Sequence, residues 1–157
     1  MEYNELIQGF AAKAGLDDIR SADGSVAVEI DGITIAFIND AERGFVTIYG
    51  EIGFPPPDAN GKFGEAMLQA NHLFSGTEGS VLCQNPETYA YALFRPLPLV
   101  DLDVETFCEH VGKLVDQVEG WKRLVEGFRD AESEAEDVAE EAASFDNATA
   151  TGQFVRV

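Results

Sequence analysis

The run from Val26 to Ile38 narrows the possible folds more than any other part of this chain. Val26, Val28 and Ile30 alternate with Ala27 and Glu29 before Asp31-Gly32, and Ile33, Ile35 and Phe37 alternate with Thr34, Ala36 and Ile38 after it. Alternation at period two marks a strand with one buried face. Asp-Gly is a favoured pair for a two-residue turn, because both central positions need positive φ. Folding the run there sets Ile30 opposite Ile33, Val28 opposite Ile35 and Val26 opposite Phe37. All six side chains then share one side of the ribbon, and a one-residue slip would turn a whole strand's set to water. The run predicts an antiparallel sheet with one core face.

The flanking segments supply more strands and the helices to cover them. Tyr3, Leu6, Ile7, Phe10 and Ala14 fall on one helical face, and Gly15 is placed to end that helix. Leu16–Gly24 reads as a connector. After a turn at Asn39–Gly44 comes a third strand, Phe45–Ile52, with Val46, Ile48 and Ile52 on one face and Phe45, Thr47 and Tyr49 on the other. A strand apolar on both faces needs cover on its second side, from a helix of this chain or from a partner. Gly53–Gly61 holds Pro55-Pro56-Pro57 and reads as a stiff linker.

A second helix is expected over 62–74, with Phe63, Ala66, Met67, Ala70 and Phe74 on its apolar face. Val81–Gln84 and Tyr89–Arg95 form a second hairpin around Asn85-Pro86, and Pro96 and Pro98 are expected to stop its second strand. Asp103 is a helix cap, with Leu102 before it placed to staple onto Phe107. The last helix carries an apolar stripe from Val104 through Phe107, Val111, Leu114, Val118, Trp121 and Val125 to Phe128. From Asp130 the chain turns to Ala, Glu and Ser, and a frayed or mobile segment is expected. The closing Gly152–Val157 alternates again and reads as a disordered end or a strand for a sheet edge.

Charge excludes several functions. The chain carries 29 acidic and 10 basic residues, a net of −19, which repels nucleic acid and anionic membrane. Residues 130–157 hold eight acids against Arg156 alone, so the body remains acidic without them. The polar, acidic start is unlike a signal peptide, and no apolar run approaches a membrane span. Cys83 and Cys108 read as reduced thiols of a cytoplasmic protein.

Chemistry is sparse. His72, His110 and the two cysteines show no metal-ligand spacing, and Cys108 and His110 at i, i+2 point apart on a helix. No phosphate-binding glycine loop appears, nothing singles out a carboxylate pair, and neither a cofactor nor an enzyme activity is expected. Trp121 reads as core and Glu109 with Lys113 as a surface pair. What remains is surplus apolar surface on a small acidic α+β domain, which suits partner binding.

Certain residues, taken in order, carry a resemblance. They are Glu29-Ile30-Asp31 ending the first strand, Phe54-Pro55 after the third, Met67-Leu68-Gln69-Ala70-Asn71, Gly79, Leu97-Pro98-Leu99 with Asp103, and Trp121. Together with the order α-β-β-β-α-β-β-α they resemble the class I type III secretion chaperones, the CesT/Tir chaperone family, over residues 1–128. The resemblance implies a homodimer with a twisted antiparallel sheet packed by helices, formed by a domain over 1–129. An acidic C-terminal tail over 130–157, partly helical or disordered, follows it and is longer than the family pattern requires. It implies a cytoplasmic chaperone that binds the N-terminal segment of a secreted effector and keeps it secretion-competent. Carried onto this chain, Leu6, Phe10, Ile38, Phe45 and Tyr49 are the expected effector contacts, and Leu73, Leu82, Tyr89 and Tyr91 the expected dimer contacts. The alternatives are a regulatory interaction domain of the same fold with a non-secreted partner, and a small-ligand domain.

Overall fold

The computed structural model describes residues 2–16, 19, 24–54 and 61–150, with 131–150 given by backbone alone. Most of the Leu16–Gly24 connector, the triple-proline run and Gly152–Val157 lie outside the described residues. The elements are α1 (Tyr3–Ala14), β1 (Ser25–Ile30), β2 (Ile33–Asp40), β3 (Phe45–Gly53), α2 (Lys62–Asn71), β4 (Val81–Gln84), β5 (Tyr91–Pro98) and α3 (Val104–Ala150), with a 3-10 turn at His72–Phe74 after α2. The expected α+β order is the observed one. The five strands form one antiparallel sheet in the order β1-β2-β3-β5-β4.

The hairpin register deduced from alternation is the register found: Ile30 pairs with Ile33, Val28 with Ile35 and Val26 with Phe37. Extended across the sheet, these pairs form the core-side rows Val26–Phe37–Ile48–Arg95 and Val28–Ile35–Gly50–Leu93–Leu82. All three helices pack on that side. Phe10 of α1, Phe37 of β2 and Phe107 of α3 meet edge to face, with ring centroids 5.0 to 5.7 Å apart. Phe63 of α2 stacks on Tyr91 and meets Trp121 and Phe128 of α3 edge-on. Pairs of this kind contribute about 0.5–1.5 kcal/mol beyond the area they bury.

The helix ends follow the local signals. Gly15 takes φ 67° at the end of α1, and its N–H bonds the Ala11 carbonyl. Asp103 Oδ1 accepts from the Thr106 N–H at 2.7 Å, which holds its carboxyl below the usual range, and Leu102 and Phe107 are both buried. Tyr3 donates to the Phe37 carbonyl at 2.8 Å, and burial pushes its phenol up to about 12.

Three expectations are corrected. Strand β5 runs through Pro96 and Pro98, which pair with Thr47 and Phe45. The Leu99 N–H bonds Gly44 on the β3 side, so the nitrogens of the two prolines, at the opposite parity, face away from β3. On that side β4 reaches only to Val81, opposite Phe94, so no ladder bond is lost there. The second helix ends at Asn71, and Leu73 and Phe74 adopt φ 51° and 57°, which turns both outward instead of extending the apolar face. The second face of β3 also has no covering helix among the described residues, since the buried faces of α1, α2 and α3 all meet core-side rows. α3, for its part, continues past Phe128 to Ala150.

Two glycines test the packing in opposite senses. A Cβ on Gly50 would lie 2.8 Å from Val118 Cγ2 and 3.0 Å from Ile35 Cδ1, because α3 crosses the sheet at that point. Gly50→Ala should therefore destabilise by about 1–3 kcal/mol through overpacking. Gly120, on the exposed side of α3, has nothing within 4 Å of a Cβ, and Gly120→Ala should stabilise by about 1 kcal/mol. Urea midpoints of the two variants check both signs; an unchanged midpoint for Gly50→Ala would mean α3 does not press on β3 there.

Candidate functional site

A sheet with helices on one side leaves the other for contact. Its outer rows run Ser25–Ile38–Thr47–Pro96 and Ala27–Ala36–Tyr49–Phe94–Val81. Ile38 is 42% exposed, and Thr47, Tyr49, Phe94 and Val81 are half-buried. Burial pushes the Tyr49 phenol up, and its hydroxyl donates to Glu51 at 3.3 Å. Phe45 lies at the end of the sheet, where it lines a cleft of about 620 Å³ with Tyr3, Arg43, Leu99 and Val100.

The effector contacts expected from sequence therefore divide. Ile38, Phe45 and Tyr49 reach the surface, whereas Leu6 is fully buried and Phe10 is 4% exposed. Those two belong to the core because α1 turns Tyr3, Leu6, Ile7 and Phe10 inward onto the sheet and α3. The expected dimer contacts divide as well. Leu73 is 85% exposed and Tyr89 66%, but Leu82 is buried beneath α2 and Tyr91 is stacked on Phe63. The exposed pair has Leu68 and Phe74 for company among the exposed large apolar side chains. Leu73, Phe74 and Tyr89 also hold positive φ (51°, 57° and 61°), a conformation that costs a bulky residue about 1–3 kcal/mol.

The two sheet edges differ. At β4, the Asn71 side chain donates to the Leu82 carbonyl at 3.1 Å and accepts from the Leu82 N–H at 2.9 Å. One amide thus makes, at Leu82, the pair of bonds that an added strand would make to that residue. β1 (Ser25–Ile30) is the outermost strand on the other side of the sheet. Beside β1, a groove of about 440 Å³ runs between α1, the β1–β2 turn and α3.

Sequence reading also missed a buried polar cluster. Arg95 occupies a core-side position, 6% exposed, at the end of the row that starts at Val26. Its guanidinium donates to the Glu78 carbonyl and to His110 Nδ1, the latter at 3.0 Å. Ser80 donates to Gln117 Oε1 at 2.7 Å beside it. Burial lowers the Arg95 pKa, while Glu78 favours its charge. Burial, then Arg95 and Lys113, hold His110 below its usual 6.5, against the opposing pull of Glu109. The neutral imidazole can accept from Arg95; the imidazolium cannot. Burial pushes the Cys83 and Cys108 thiols up, away from thiolate chemistry, and His110 is engaged with Arg95, not Cys108. Among the described residues no group of His, Cys, Asp and Glu is placed to hold a metal, and no helix is long and apolar enough to cross a membrane.

The cluster sets a pH dependence. Folded protein takes up the His110 proton less readily than the unfolded chain, so its contribution is complete above about pH 6.5 and is lost as pH falls through and below that value. Urea midpoints at pH 7.5 and 5.5 should show a larger acid loss for the wild type than for His110→Gln, which can accept from Arg95 without titrating. Equal losses would remove His110 as the cause.

Comparison with known proteins agrees with this geometry. Solved structures share the fold. A chain of the HopA1–SchA chaperone–effector complex superposes with a TM-score of 0.66 at 18% identity, covering 77% of this chain and 93% of its own. For the ExsC–ExsE complex the values are 0.66, 20%, 78% and 92%. For the Yersinia pestis type III secretion chaperone SycH, bound to a stable fragment of YscM2, they are 0.62, 21%, 76% and 99%. No curated protein sequence matches the chain. The family model described as the Tir chaperone protein (CesT) family matches residues 5–122, three-quarters of the length, and the chain belongs to that family.

Proposed function

We propose that this protein is a class I chaperone of type III secretion, acting in the cytoplasm as a homodimer without nucleotide or cofactor. It holds the N-terminal segment of a secreted effector in an extended, secretion-competent form. The observation that carries this reading is a sheet face that keeps Ile38 exposed and Tyr49 and Phe94 half-buried, with no helix over it among the described residues, on the fold of its family. Main-chain bonds to an extended client supply affinity that tolerates its sequence, and pockets for alternate side chains supply selection. Ordering a disordered client costs a few kcal/mol, so the client must cover a wide surface. Two separate apolar areas, the outer face around Ile38 and Tyr49 and the end cleft around Phe45, suit that need.

The second copy would cover Leu68, Leu73, Phe74 and Tyr89, whose exposed apolar side chains, three of them on left-handed backbone, are otherwise a cost without return. In this reading residues 1–129 are the chaperone body and 130–157 an acidic extension of it.

The test is affinity capture from the native bacterium, with truncation mapping of the protein that is held. A secreted protein bound through its N-terminal segment supports the reading; a non-secreted protein bound through a folded domain replaces it with the regulatory alternative. Ile38→Asp with Phe45→Asp should release the client while leaving the circular dichroism spectrum and the dimer mass unchanged. Leu73→Asp with Tyr89→Asp should instead give a monomer by light scattering. A dimer that survives the second pair places its interface elsewhere.

A further inference from the structure

We propose that His110 and Arg95 form a proton-operated latch on the segment that carries Leu73 and Phe74, and that protonating His110 loosens the contact between two copies while each stays folded. The proposal rests on the dimer reading and deepens it by naming what regulates that contact.

The segment between α2 and β4 is strained and has to be held. Leu73, Phe74 and Glu78 adopt φ 51°, 57° and 46°, and such backbone persists only where its surroundings over-determine it. Some of its hydrogen bonds are internal: the Ser75 N–H bonds the His72 carbonyl at 3.1 Å, and the Glu78 N–H bonds the Phe74 carbonyl at 3.0 Å. Bonds of that kind move with the segment and do not anchor it. On the α2 side it is tied by Asn71 to Leu82 and by the Gly76 N–H to the Ala70 carbonyl. Where β4 approaches, Ser80 ties it to Gln117 of α3. At Glu78 the tie is Arg95, which reaches across from β5 to donate to the carbonyl. The guanidinium lies close against this turn, since a Cβ on Gly79 would be 3.4 Å from its Nη2.

His110 decides where Arg95 points. Arg95 Nη1 lies 3.0 Å from His110 Nδ1, and an arginine only donates, so the imidazole must be the neutral acceptor. An imidazolium there would set N–H against N–H and one positive charge against another. The charged groups that act on His110 are Arg95 from β5 and Lys113 and Glu109 from α3, while Glu78 acts on Arg95 from the segment itself. Burial and the two cations outweigh Glu109, so the latch is closed at neutral pH and opens as pH falls below His110's usual 6.5. The Glu78 side chain is exposed and attracts Arg95, which gives the repelled guanidinium an outward position. A guanidinium that swings there gives up the Glu78 carbonyl. Leu73, Phe74 and Glu78 then lose one of the ties that fix them, and the two apolar side chains lose their set direction.

Two measurements on the full chain test this at pH 7.5 and 5.5, at constant ionic strength. Dimer dissociation, followed by analytical ultracentrifugation, should weaken by about tenfold in acid for the wild type, with an unchanged circular dichroism spectrum. Acid also reduces repulsion between two acidic copies, which acts in the opposite direction. His110→Gln accepts from Arg95 without titrating, and its dissociation should change by less than about twofold. His72→Gln should keep the wild-type response, because His72 is exposed beside Leu73 and bonds the segment through its backbone alone. Amide hydrogen exchange over Gly76–Ser80, corrected for its intrinsic pH dependence, should rise by about tenfold in acid for the wild type and stay level for His110→Gln.

Equal weakening of the wild type and His110→Gln, or a response lost in His72→Gln, would each overturn the proposal. So would acid dissociation that comes with loss of the circular dichroism spectrum, which would make global unfolding the cause. Failure of the dimer reading has a different signature. A wild type that is monomeric at pH 7.5 removes that reading and this proposal with it. A dimer whose dissociation and exchange both ignore His110 overturns the latch alone.

Discussion

Phe37 holds this molecule together from the middle of its second strand. Its ring meets Phe10 from the first helix and Phe107 from the last, and its carbonyl accepts the Tyr3 hydroxyl. One strand residue thus fixes the angle of both long-range helical partners, which themselves touch through Phe10 and Phe107. The hairpin register places Phe37 on the core side, and with it the rows that receive α3. Close approach then follows from small residues. Gly50 admits Val118, and Gly9 admits Val104, whose Cγ2 would be 2.5 Å from a Cβ at that position.

Placing every helix on one side makes the sheet asymmetric in use. One face is a packed core, and the other retains Ile38, Tyr49 and Phe94 in partial contact with water. Such a surface is unfavourable for a protein that works alone and serviceable for one that works with an extended partner. The net charge keeps this apolar face from causing self-association without limit, because copies repel one another at long range.

Much of this was legible where local physics has a short period. The hairpin pairs, the Gly15 stop, the Asp103 cap and the α3 stripe all follow from spacing within a dozen residues. The order of elements was legible for the same reason. The assignment of apolar side chains to core or surface was not, because a stripe such as Leu6–Phe10 reads alike whether it faces its own sheet or a partner. Nor was the role of Arg95, since a charge at a strand position that faces inward is paired by His110 and a Glu78 carbonyl distant in sequence. Pro96 and Pro98 were misread because a proline's cost depends on which side of the strand has a neighbour, and sequence does not say where β4 stops.

Asn71 guards the middle of the β4 edge. Its amide is spent on both polar groups of Leu82, in a strand only four residues long. A second chain that came alongside β4 would have to displace that side chain before it could bond Leu82, so joining there carries a cost that a bare strand edge lacks.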